Sequence, residues 1–239
     1  MFATKTFLIF CLFCVSSVIS ERVVCDFEDS KCLTETAGLS FEQFIDGIPG
    51  VQSSEPLFQK VIEVTSPKLF YKLTDAKLSG MKKCKVELFK ISAKDHTYNY
   101  NVGCPHLTLA AGYEINGEVG PQLHVEGTGD CTIDYYDYHF LFHGDYVSIP
   151  DKEGQNHINL KTHTLELKAD GKVVYAFKNL FGGDKEKSDA AHKWVNDNYV
   201  AVHGGTAQPA MDLFMNNYLV NVNDYLGIVP PEQMFSKEK

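Results

Sequence analysis

The sequence predicts an α+β fold in which a long C-terminal helix packs on an antiparallel sheet, preceded by a short N-terminal helix. Three observations predict it. Apolar and polar residues alternate with period two across residues 60–178, the period becomes helical from Ser188 onward, and turn-type dipeptides rather than helices separate the strand-like runs.

The first twenty residues read as a targeting segment. Lys5 supplies a positive start, Phe7 to Val15 is an unbroken apolar run, and Val18 and Ser20 stand at −3 and −1 of a cleavage site before Glu21. The run is too short for a bilayer span of about 20 apolar residues. A mature chain of residues 21–239, read as a single domain without linker or repeat, is therefore expected to be soluble and secreted.

Residues 33–48 read as an amphipathic helix. Leu39, Phe41, Phe44, Ile45 and Ile48 recur at helical spacing, and Gly47 and Pro49 stop it. The strands follow. Val86 and Leu88 alternate with Lys85 and Glu87; Tyr98, Tyr100 and Val102 with Asn99 and Asn101; Leu123 and Val125 with His124 and Glu126; Val173, Tyr175 and Phe177 continue the pattern. Asn116-Gly117 and Asp170-Gly171 are the strongest hairpin signals, and Gly127-Thr128-Gly129 suggests a bend or bulge. At the C-terminal end Ala191, Trp194, Val195, Asn198, Tyr199 and Val202 form one stripe, and Ala207, Ala210, Met211, Phe214, Tyr218, Val222 and Tyr225 another. The predicted break between them lies at Gly204–Pro209, where glycine and proline weaken a helix.

Formal charge is −9, from 22 basic and 31 acidic residues, with no basic cluster. That excludes a nucleic-acid partner, whose phosphates require Lys and Arg, and docking on an anionic membrane. Five cysteines remain beyond residue 20, an odd number for an oxidising compartment. The short spacing of Cys25 and Cys32 points to a local disulfide. Cys84, Cys104 and Cys131 leave alternatives open. A hairpin near Lys94-Asp95 sets Cys84 opposite Cys104, and one at Asn116-Gly117 brings Cys131 near Cys104 instead.

No catalytic motif stands out, neither a nucleophile elbow nor a phosphate-binding glycine loop, and no cofactor is implied. His139 and His143 lie four apart in a strand-like run, about 13 Å at 3.3 Å per residue, too far for one metal ion. Asp130, Asp134 and Asp137 read as a solvated outer face. The chain is not expected to be an enzyme.

The order of several short motifs carries a resemblance. Cys25-x6-Cys32 leads to Gly47-Ile48-Pro49, Glu55-Pro56-Leu57, Leu78-x-Gly80 and Cys104-Pro105-x-Leu107-x-Leu109. Gly112-Tyr113, Gly117 and Gly127-x-Gly129 come next. Asn179-Leu180-Phe181-Gly182-Gly183-Asp184, Asn196-Asp197-Asn198-Tyr199, Ile228-Val229-Pro230 and Met234-Phe235 complete it. Taken together they resemble the insect haemolymph juvenile-hormone-binding protein/takeout family over essentially all of residues 21–239. The resemblance implies a strongly curved sheet wrapped around the C-terminal helix, as in tubular lipid-binding domains. It also implies a disulfide between Cys25 and Cys32, and a tunnel for a juvenile hormone or another terpenoid or lipid. The C-terminal helix has no cysteine, which leans toward the takeout branch.

Core linings and pocket linings look alike in sequence, so periodicity alone assigns a filled core; the resemblance is what points to a tunnel. On it, Leu123, Val125, Ile133, Phe140 and Phe142 are expected to face Phe214, Tyr218 and Val222 across the lumen. The function expected is a secreted carrier of a hydrophobic small molecule, in haemolymph or another extracellular fluid. The alternative is a secreted signalling or chemosensory interaction protein without an obligatory ligand.

Overall fold

The computed structural model describes residues 24–120 and 123–229. The expected signal peptide, residues 1–20, lies outside them, as do Pro230 and Met234-Phe235. Helix α1 (Ser30–Phe44) starts where the Asp29 carboxylate accepts the N–H of Cys32 at 3.0 Å, satisfying a helix end that has no internal partner. It buries Leu33, Phe41 and Phe44, whereas Leu39 faces solvent. It stops earlier than periodicity suggests. Gly47 N–H turns back to the Phe44 carbonyl at 2.8 Å, and a side chain at Gly47 would stand 2.9 Å from the Ser53 nitrogen.

Seven antiparallel strands follow: β1 (Leu57–Thr65), β2 (Leu69–Ser79), β3 (Lys85–Ser92), β4 (Thr97–Val119), β5 (Leu123–Pro150), β6 (Asn156–Ala169) and β7 (Val173–Phe177). Their order is β1-β2-β4-β5-β6, with β3 also on β4 and β7 also on β5. β4 and β5 are 23 and 28 residues long and stay in one register from Thr97↔Asp145 to Val119↔Leu123. The hairpin therefore turns after Val119, and the expected turn at Asn116-Gly117 is corrected: both residues sit inside β4, opposite Glu126 and Val125. Gly117 serves close approach instead, since a Cβ there would lie 2.2 Å from the Lys68 carbonyl oxygen. Asp170-Gly171 is not a hairpin either. β6 and β7 both pair with β5, ending at Tyr138↔Ala169 and resuming at Tyr135↔Val173, so they form one interrupted line. The β4–β5 register also continues unbroken past Gly127 and Gly129, without a bulge. A Cβ at Gly129 would meet the Lys178 carbonyl at 2.4 Å, so these glycines admit the segment after β7.

The inward face changes parity midway along the sheet. In β5, Val125, Cys131 and Tyr135 are buried, and then Tyr138, Phe140 and Phe142, with two consecutive exposed residues, Tyr136 and Asp137, between. Asp137 has φ 46°, as Asp75 has φ 49° in β2, where burial passes from Leu69, Tyr71 and Leu73 to Ala76 and Leu78. A left-handed residue rotates the pleat and adds local twist. The sheet is thus divided into two curved halves that each turn an apolar face inward.

Helix α2 (Lys185–Asp197) and helix α3 (Tyr199–Ile228) complete the chain. The break falls at Asn198, not at Gly204–Pro209, through which α3 continues. The Trp194 carbonyl accepts both the Asn198 backbone N–H at 3.0 Å and its side-chain amide at 2.8 Å, capping the end of α2. The 30 residues of α3 extend about 45 Å, and its buried positions run from Val202 to Leu226.

Cys25 is bonded to Cys32 and Cys84 to Cys104, while Cys131 is a buried free thiol. The β3–β4 hairpin decides the second bridge: Lys85 pairs with Gly103, so the preceding and following residues meet. Cys131 pairs with Ala111, far along β4. The Cys84–Cys104 bridge closes a separation of 20 residues, and restricting the unfolded chain by that loop is worth about 3 kcal/mol. The double variant Cys84→Ser/Cys104→Ser should lose about that much in urea denaturation, and an unshifted midpoint would refute the estimate.

Candidate functional site

An apolar cavity lies between the β4–β5 hairpin half of the sheet and the two C-terminal helices. Alternate residues supply its walls: Leu69, Tyr71 and Leu73 from β2, Leu109 and Val119 from β4, Val125, Ile133 and Tyr135 from β5, Tyr175 and Phe177 from β7. Ala191 and Val195 of α2, with Val202, Ala207 and Ala210 of α3, form the roof. Small residues at 207 and 210 leave the room that Met211, Phe214 and Met215 fill one turn later. The cavity holds about 840 Å³ free of atoms, open solvent at its mouth included.

Its polar groups are few and largely tied down. Tyr71 hydroxyl donates to the Thr206 carbonyl at 2.8 Å, and Tyr113 hydroxyl to the Lys178 carbonyl at 2.7 Å. His192 Nε2 accepts the Phe177 N–H at 2.9 Å. Tyr135, 3% exposed, also lines the cavity. Burial pushes Tyr71 and Tyr113 up to about 12 and Tyr135 well above its ordinary value; these hydroxyls stay neutral. Burial likewise pushes the Cys131 thiol up to about 12, removing the thiolate that nucleophilic chemistry needs. No Lys or Arg lines the cavity, and Glu114 is exposed.

A second cavity lies under α1, between Leu33, Ala37 and Phe44 of that helix and Val222, Tyr225 and Leu226 of α3. It holds about 530 Å³ free of atoms, its opening included. An aromatic plug separates the two. Phe140, Phe142, Phe214 and Tyr218 are each no more than 1% exposed. Tyr218 stacks on Tyr100 with centroids 6.3 Å apart, and their hydroxyls approach to 2.5 Å.

The residues expected from sequence thus fall in four places. Val125 and Ile133 line the first cavity and Val222 the second; Phe140, Phe142, Phe214 and Tyr218 form the plug between; Leu123 packs partly buried at the turn end of the β4–β5 hairpin. Sequence reasoning missed the contributions of β2, β7 and α2, and it missed Tyr135. Those residues carry the same alternation, but which of several similar faces borders empty space depends on the curvature. His139 Nδ1 lies 2.9 Å from Glu87 and His143 Nδ1 3.0 Å from Asn99, so the two rings engage separate partners. Asp134 bonds His106 and Thr108, and Asp130 pairs with Lys178. Among the described residues no group of three or more His, Cys, Asp or Glu is arranged to hold a metal ion. Nor is any helix there long and apolar enough to cross a membrane.

Beside the plug, Tyr138 hydroxyl and His203 Nε2 stand 2.8 Å apart. Burial holds His203 below the usual histidine range. The unfolded chain, with an ordinary pKa near 6.5, then binds the proton before the folded one does. His203 therefore leaves stability intact above about pH 6.5 and lowers it as pH falls toward the depressed folded value. His203→Gln should flatten that part of the stability profile between about pH 5 and 7; an unchanged slope in urea titrations would contradict this.

The sequence profile of haemolymph juvenile hormone binding protein (JHBP) matches residues 7–236. The crystal structure of Epiphyas postvittana Takeout 1 aligns with a TM-score of 0.81 at 24% identity, covering 89% of this chain and 99% of that one; this likeness establishes the fold. Curated protein sequences give no match. The profile spans nearly the whole chain, and the curled antiparallel sheet with its long C-terminal helix agrees with it: the chain belongs to the haemolymph juvenile-hormone-binding protein/takeout family.

Proposed function

We propose that this protein is a non-enzymatic carrier of one hydrophobic small molecule, a juvenile hormone or another terpenoid or lipid. It is exported by the segment before Glu21 and acts in haemolymph or another extracellular fluid as one domain. The observation that carries this reading is the largely apolar cavity under α2 and α3, whose lining contains no Lys or Arg among the described residues. Burying roughly 400 Å² of a ligand's apolar surface contributes about 10 kcal/mol at 25 cal/mol per Å². An immobilisation cost of about 4 kcal/mol leaves about 6 kcal/mol, binding in the tens of micromolar, and each further buried methylene of ligand tightens it by about 0.8 kcal/mol. No ion pair is needed, so affinity depends little on salt.

The test is titration of delipidated protein with juvenile hormones, terpenoids, quinones and fatty acid esters at two salt concentrations. It is paired with native mass spectrometry of protein secreted from insect cells. Saturable binding and a co-purified lipid are expected, with Glu21 as the N-terminus. Absence of binding to every compound, together with a ligand-free native mass, would overturn the carrier reading in favour of an interaction protein.

A further inference from the structure

We propose that α2 is a lid over the first cavity, latched to the free edge of β7 by Asn196 and His192, and that ligand enters and leaves where this latch opens. The inference rests on the carrier reading and supplies the route by which that site is filled.

Among the described residues β7 pairs only with β5, so the backbone groups on its other edge need partners from elsewhere. α2 supplies them through side chains. Asn196 Oδ1 accepts the Tyr175 N–H at 2.7 Å, and Asn196 Nδ2 donates to the Tyr175 carbonyl at 3.0 Å. His192 Nε2 accepts the Phe177 N–H, and its ring stacks on that of Phe177 with centroids 6.3 Å apart. The spacing explains the fit. Four helical residues rise about 6 Å and two strand residues about 6.6 Å, so His192 and Asn196 meet Phe177 and Tyr175 in step.

Apolar packing holds α2 less firmly. Its buried residues are Ala191 and Val195, and both line the cavity, so a bound hydrocarbon adds to what holds the helix down. Trp194, partly buried, covers Gly120, where a Cβ would stand 2.8 Å from the indole. The other roof element, α3, buries side chains all the way from Val202 to Leu226. α2 also has a joint at either end. Gly182 and Gly183 have φ 63° and 88°, and Asn198, at φ −112° and ψ 25°, interrupts the path into α3. Segments that bury few side chains open at the lowest cost in free energy. In this roof that segment is α2, and lifting it uncovers the cavity along β7.

The experiment combines stopped-flow mixing with the neutral fluorescent probe N-phenyl-1-naphthylamine and residue-resolved amide exchange. Asn196 lies outside the cavity lining, so Asn196→Ala alters the latch and touches no ligand atom. It should raise the association and dissociation rates together by about five- to thirtyfold, the worth of two hydrogen bonds, and leave Kd unchanged. The Phe177 amide keeps its His192 partner in that variant and so reports opening of the lid. Its exchange should quicken by a similar factor in Asn196→Ala, and should slow when the probe saturates wild type. Thr34→Val is the control at another seam. Thr34 Oγ1 accepts the Phe89 N–H at 2.9 Å and fastens α1 to β3 in the same manner; its loss should leave both rates as in wild type.

Unchanged rates in folded Asn196→Ala overturn the inference, as does a raised Kd with an unchanged association rate. So does a Phe177 amide in wild type whose exchange ignores the probe. Faster probe exchange in Thr34→Val places the entrance under α1 and overturns it too. All four outcomes leave the carrier reading standing. A folded wild type that binds neither the probe nor methyl tetradecanoate overturns the carrier reading and this inference with it.

Discussion

Phe142→Ala is expected to lower the stability of the ligand-free protein by about 3–5 kcal/mol, the range for truncating a fully buried aromatic. Phe142 is 1% exposed and its ring lies 5.9 Å from Tyr100, 5.7 Å from His163 and 6.3 Å from Tyr218. Those rings are held by the opposing strand, by β6 and by α3, so they cannot all collapse into the vacated space. Such a loss is a large fraction of the 5–15 kcal/mol that ordinarily separates folded from unfolded chains. The vacated volume also lies between the two cavities. Chain ligands too long for the first cavity should consequently gain affinity in the variant, because they can thread past the gap. Urea denaturation of delipidated protein reads the first effect, and affinity against a series of increasing chain length reads the second. A midpoint within error of wild type would show that the plug repacks freely.

Val125→Trp is expected to abolish most binding while sparing the fold. Val125 is buried on the cavity wall near the hairpin, opposite Gly117. An indole there occupies the space of about four methylenes of ligand, and at about 0.8 kcal/mol each their exclusion costs about 3 kcal/mol, or roughly 200-fold in affinity. Because the new side chain extends into empty space, stability should change by less than the 1–3 kcal/mol typical of an overpacked core. Titration with a ligand that saturates wild type, alongside a urea curve, separates the two effects. Normal affinity in a folded variant would place the ligand elsewhere, with the cavity under α1 next to be examined by Val222→Trp.

The elements themselves were legible because each rests on local chemistry. Alternation in β4, β5 and β7 and the 3.6-residue stripe of α3 follow from which faces must be covered, and they are present in the residues whatever surrounds them. Local signals failed where another part of the chain intervened. Asn116-Gly117 has the composition of a turn, yet β4 and β5 pair straight through it because β2 and its preceding loop press on Gly117 from the other side. Gly204, Gly205 and Pro209 weaken a helix locally, but α3 is held continuous by buried contacts from Val202 to Leu226, and the break moves to Asn198, whose side chain caps Trp194.

The expected lumen residues show the same division. Val125 and Phe142 differ by an odd number of positions, so strict alternation sends them to opposite faces of β5. Both are buried because Asp137 rotates the pleat between them. Even so, one lines a cavity and the other fills a plug.

The sequence by itself determined the apolar faces, the strand-rich middle, the long C-terminal helix and the net acidic character of a chain without a basic cluster. Each is a property of neighbouring residues and their spacing. Only the tertiary structure decided that Cys84 bonds Cys104 and leaves Cys131 free, since that depends on hairpin register. It alone decided that Ala207 and Ala210 face empty space while Phe214 and Tyr218 fill theirs. A cavity is the volume that remains when distant segments have packed, and no window of sequence contains all of its walls.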